Sequence, residues 1–154
     1  MYTILDLLDK FIDIEEHSYR IYDNIVKTEA VPQAIKAMAS VLTREEIRHV
    51  RIYKDLKKEL EGKDDLAIDF ELYDTAHKIV SDFKRRMIHI KIENIDDLLK
   101  YTLNFEKDNL AMVIRIQGIL VRTLEDEHTK PYVALSKLIE EEKGHIENIE
   151  KFID

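Results

Sequence analysis

Apolar side chains recur at three- and four-residue intervals along most of the chain. In residues 2–28, positions 4, 8, 11, 15, 18, 22 and 25 form one lane with helical spacing, apolar except for Glu15 and Ser18. This predicts helix A over 2–28. Thr28 to Pro32 reads as a turn, with Pro32 suited to the first turn of helix B over 33–61, and Gly62 is placed to end that helix. Between Gly62 and Asn94, Leu72, Ala76, Ile79, Val80 and Phe83 share one side of a shorter amphipathic segment. A helix over 71–87 is expected there. Asn94 can cap helix C over 95–124, and Thr129, with Pro131 in the first turn, can cap helix D over 130–152.

Connection lengths then set the topology. Short links join A to B and C to D, so each pair is expected to lie antiparallel, whereas the roughly 30 residues between B and C can run the length of the bundle. That is the connectivity of an all-α, ferritin-like four-helix bundle with a short helix in a long crossover. The 154 residues fit a single domain, 1–154, able to bury roughly 70% of the surface of its unfolded chain. Three Gly, two Pro and no Trp suit long helices with few turns.

Composition also excludes chemistry. Without Cys there is no disulfide, thiolate ligand or catalytic thiol. The net charge is −8, and the one basic run, Lys84-Arg85-Arg86, would have to hold a phosphate backbone against that field, so nucleic acid is not an expected partner. The acidic N-terminal stretch is unlike a signal peptide, and no apolar run approaches the roughly 18 residues of a membrane span. A soluble, cytoplasmic protein is expected.

The residues that interrupt the apolar lanes carry the chemistry. Glu15, Glu46, His49, Glu106, Glu142 and His145 repeat one pattern twice: a lone Glu, then Glu-x-x-His. Bundles that hold two metal ions between four helices use this donor inventory. Glu15 shares the lane of Leu8, Phe11, Tyr22 and Ile25, whereas Glu16 falls with Asp9 and Asp23. Glu46 and His49 lie with Leu42, Tyr53 and Leu56; Glu142 and His145 lie with Leu135, Leu138, Ile149 and Phe152. Glu106 interrupts Leu99, Thr102, Val113 and Leu120. With 17 Glu in the chain a single Glu-x-x-His means little, and Glu125-x-x-His128 is such a match in an expected loop.

Level matters as well as face. Glu15 and Glu46 lie about 15 residues, roughly 23 Å, either side of the A/B turn, so they are expected to face each other. The midpoint of Glu106 and Glu142 is residue 124, at the leading edge of the C/D turn, a looser match that an earlier end of helix C would improve. Four ionised Glu against two divalent cations leave a neutral cluster. Carboxylate with imidazole suits two iron ions, and manganese or zinc would also be admitted. Tyr22 and Tyr53 lie two turns beyond Glu15 and Glu46, within range of the ligands or simply packed. His17, His77, His89 and His128 have no partner at ligand spacing on an inward lane and are expected outside the site.

The stretches Ile14 to Tyr22, Thr43 to Val50, Phe105 to Asp108 and Glu140 to Ile146 resemble the four helix motifs of the rubrerythrin branch of the ferritin-like di-iron proteins. The resemblance covers essentially the whole chain. It implies that Glu46 and Glu142 bridge the metals, that Glu15 and Glu106 are terminal ligands, and that His49 and His145 cap the two sides. It also implies a di-iron redox protein reacting with hydrogen peroxide or dioxygen, and a homodimer; the long connection between B and C would permit exchange of helix pairs between chains. Two departures stand out. Rubrerythrins carry a further Glu where this chain has Asn109, which leaves the plain six-ligand set. A chain without Cys also has no rubredoxin-type domain, so electrons are expected from an external electron-transfer protein. Other uses of such a centre are hydroxylation of an organic substrate, iron storage and a metal-stabilised scaffold.

Overall fold

Helix starts are fixed by side chains that take up free backbone N–H groups. Thr3 and Asp6 form a reciprocal capping box, Asp69 accepts from the Leu72 amide, Asn94 from that of Asp97 and Thr129 from that of Tyr132. In the computed structural model, which describes residues 1–87, 91–121 and 127–153, these caps open four of five helices. In chain order they are α1 (Ile4–Lys27), α2 (Gln33–Leu60), α3 (Phe70–Arg86), α4 (Ile95–Leu120) and α5 (Lys130–Glu150). Among the described residues there is no strand, only an isolated bridge, Thr3 to Ala67, which folds the segment after α2 back onto the start of α1. Pro32 caps α2 from outside rather than entering its first turn. Gly62, at φ +79°, supplies the left-handed residue that ends α2.

Helix bounds fall within two residues of the sequence expectation except for α4. That helix stops at Leu120 rather than 124, with Val121 extended after a last turn weakened by Gly118. Residues 122–124 lie outside the described residues. The shortening improves the level of the ligands. Glu106 is 14 residues before Leu120 and Glu142 is 12 after Lys130, close to the 12 and 13 that separate Glu15 from Lys27 and Glu46 from Gln33.

The pairs α1/α2 and α4/α5 are antiparallel. Asp9 pairs with Lys57 at 2.7 Å and Glu16 with Lys54 at 3.1 Å, so advancing along α1 means retreating along α2. Likewise the Gln117 amide reaches Ser136 at 2.7 Å, and Lys107 lies 3.7 Å from Glu150. Helix α3 packs on α1 and α4. Leu72, Ala76, Val80 and Phe83 form its buried face.

The apolar interior is divided. One cluster gathers Leu7, Phe11, Tyr53, Leu56, Val113, Ile116, Leu135 and Leu138, and the other Tyr22, Ile35, Ala39, Leu42 and Leu98. Between them along the helices lies a polar band: Glu15 and Ser18 on α1, Glu46 and His49 on α2, Thr102, Glu106 and Asn109 on α4, Glu142 and His145 on α5. Each fully buried Leu or Ile contributes about 1.5–3 kcal/mol. The two apolar clusters therefore hold shut a band that would not close on its own. Phe152, expected inward on α5, lies beyond the helix end and is 56% exposed. No helix is long and apolar enough to cross a membrane, among the described residues.

Candidate metal centre

Within the polar band, periodicity places six side chains at one level, and all six are 0–1% exposed. Their donor atoms fall into overlapping sets in which every atom is within 4.8 Å of the others: Glu15, Glu46 and His49; Glu46, Glu106 and His145; His49, Glu142 and His145. His49 Nδ1 lies 3.5 Å from Glu142 and 4.0 Å from Glu15. His145 Nδ1 lies 3.4 Å from Glu106 and 4.0 Å from Glu46. The imidazole centroids are 4.2 Å apart and nearly perpendicular, at 72°. The centre thus has two ends. His49 stands with Glu15, His145 with Glu106, and Glu46 belongs to sets at both ends.

Satisfaction of hydrogen bonds separates this cluster from the rest of the interior. Buried polar atoms in folded proteins almost always have a partner. Among the described residues, ten buried side-chain atoms have none, and all ten belong to these six residues: Glu15 Oε2, Glu142 Oε2, both oxygens of Glu46 and Glu106, and both ring nitrogens of each His. Such a set is costly by itself and chemically suited to a cation. Buried Glu and His groups here could hold metal ions, with carboxylate and imidazole donors of the kind iron and manganese take.

Charge is equally unresolved within the protein alone. Burial first, then neighbouring carboxylates, push Glu15, Glu46 and Glu106 well above the ordinary carboxylate range. Burial also pushes Glu142 upward, but the His49 imidazole 3.5 Å away, together with neighbouring Glu106 and Glu15, outweighs it and holds this carboxyl below its usual value. His145 is lowered, chiefly by burial, which favours the neutral imidazole that ligation requires. Four negative charges do not coexist here without a counter-charge of similar size.

Two further side chains touch the cluster. The Tyr53 hydroxyl donates to Glu142 Oε1, and burial, followed by the Glu142 charge, raises its pKa so that it remains a donor. Asn109, known from the sequence only as a departure from a family pattern, donates from Nδ2 to Glu15 Oε1 at 3.1 Å. Its position one turn past Glu106 on the same face was the available signal. Tyr22 goes elsewhere: its hydroxyl donates to Thr102 at 3.0 Å. Glu16, next to Glu15, faces outward to Lys54 and Arg20. His77 meets Lys10 at 2.7 Å, His17 is not among the buried residues, His128 is exposed, and His89 and Glu125 lie outside the described residues.

No protein-family model, curated protein or solved structure matches the chain. Any functional reading therefore stands on the site.

Proposed function

We propose that this chain is a di-iron redox protein of the rubrerythrin type, built as a ferritin-like bundle, that reacts with hydrogen peroxide or dioxygen. One observation carries the reading: four Glu and two His, wholly buried, present ten unpartnered donor atoms in overlapping sets. Glu15 and His49 would hold one ion and Glu106 and His145 the other. Glu46 lies in both outer sets and Glu142 in the set that holds both His49 and His145, which suits them to the shared positions. Two iron ions there would supply a two-electron reservoir between the ferrous and ferric states.

The surrounding residues suit a small oxidant. Reducing one hydrogen peroxide to two waters consumes two electrons and two protons, one electron for each ion of a pair. With the six side chains 0–1% exposed, a small oxidant fits better than an organic substrate, which disfavours the hydroxylase reading. Tyr53 holds Glu142 by a hydrogen bond and, with its raised pKa, keeps its proton at neutral pH. The apolar clusters on either side exclude bulk water, which strengthens every charge interaction between them. The electrons would come from an external electron-transfer protein, because these 154 residues hold no Cys for an iron–sulfur donor site. Helix α3 would then be the crossover element between two hairpins, and the working unit a homodimer, which sedimentation showing only monomer would refute.

The test is anaerobic loading with ferrous iron followed by hydrogen peroxide. A ferric absorption band completed at one peroxide per two irons supports the reading. Iron oxidised no faster than in free solution refutes it and leaves a metal-stabilised scaffold. Uptake of many irons per chain would indicate storage instead.

A further inference from the structure

The two ends of the centre differ in what holds them. Of the two terminal carboxylates, Glu15 beside His49 accepts from Asn109 at 3.1 Å; of the two shared ones, Glu142 accepts from Tyr53. Neither oxygen of Glu106, beside His145, nor of the shared Glu46 has a partner. Asn109 is 2% exposed and reaches from α4 to α1, so its bond ties the two hairpins together at the level of the site. With Oε1 engaged, Glu15 keeps one bare oxygen, Oε2, and Glu142 likewise keeps Oε2.

Freezing a rotamer-rich carboxylate side chain opposes binding, and a side chain already held by a second partner avoids most of that cost. Hydrogen bonds to a ligating group also fix its direction. We infer that Asn109 is a positioning residue: it sets Glu15 before metal arrives, so that the His49 end takes the first ion and the His145 end the second. This rests on the metal-binding reading above and deepens it. An acidic side chain at 109 would be a fifth carboxylate donor; the amide instead orients a donor already present.

Cobalt(II) titration of the metal-free full chain, followed by absorbance, tests it. The wild type is expected to bind in two resolved steps. Asn109→Leu removes the donor at similar volume and is expected to weaken the first step about 10- to 100-fold while leaving the second in place. His145→Ala is expected to lose the second step and keep the first. Tyr22→Phe, which breaks a buried hydrogen bond outside the cluster, is expected to alter neither. If Asn109→Leu does not fold, Asn109→Ala asks the same question with the donor removed and no branched side chain in its place. An unchanged first step in the folded variant, or loss of the tighter step in His145→Ala, would overturn the inference. A wild type that binds no cobalt would overturn the metal reading itself, and that result is distinguishable from either of these.

Discussion

Two polar spots share the interior of this bundle, and they end differently. Tyr22 and Thr102, both fully buried, close on one another at 3.0 Å. One turn from Thr102, Glu106 and its five companions leave ten atoms open. Burial alone therefore does not mark a site, because a closed pair is packing with its hydroxyls satisfied. A cluster of buried carboxylates and imidazoles that cannot close on itself could hold a partner of opposite charge.

The largest effect that would break this comparison concerns metal removal. An ion present at a hundred times its dissociation constant stabilises by about 2.7 kcal/mol, so two ions give about 5 kcal/mol, or roughly 10–20 °C in Tm for a chain of this length. Chelation is expected to lower the melting temperature by that amount, and calorimetry with and without chelator checks it. An unchanged melting temperature would place the six residues with Tyr22 and Thr102 as mere packing.

Mutations at the two spots should next act with opposite sign in metal-free protein. Glu46→Met replaces a repelled buried carboxylate by an apolar chain of similar size and is expected to stabilise by about 1–4 kcal/mol while abolishing two-ion binding. Tyr22→Phe leaves Thr102 without its donor and is expected to destabilise by about 1–3 kcal/mol with binding intact. Urea denaturation of both variants separates the cases.

The pH dependence sharpens the same contrast. Glu15, Glu46 and Glu106 have folded pKa values raised above the ordinary 4.5, first by burial. Their contribution to stability is fully present below 4.5 and is lost as pH rises through the raised values. The urea midpoint of the metal-free protein is thus expected to fall as pH rises from 4.5 through these raised values, a loss that bound metal removes. A midpoint that rises over this interval would contradict the burial of ionised carboxylates. The smallest effect is at Glu16, whose partner Lys54 is on the surface: Glu16→Ala should cost at most about 1 kcal/mol and leave metal binding unchanged, unlike Glu15→Ala.

Much of this was legible in the sequence because it depends on period and spacing. The lane of Leu8, Phe11 and Tyr22 selected Glu15 over Glu16, and the structure buries the first and exposes the second to Lys54. Caps at Asn94 and Thr129 placed the starts of α4 and α5. What escaped depended on the far ends of side chains. Tyr22 and Tyr53 have equivalent places in their lanes, yet one hydroxyl meets Thr102 and the other Glu142, a choice made by which helix lies opposite. The role of Asn109 required knowing that α4 faces Glu15 across the bundle. Phe152 was misplaced because the α5 lane was extended past the point where the helix ends.

Anaerobic equilibrium dialysis against ferrous iron tests the central claim most directly. The account predicts two ions per chain in the wild type and no paired binding in Glu46→Met. Absence of bound iron in the wild type, or two ions retained in Glu46→Met, would contradict it.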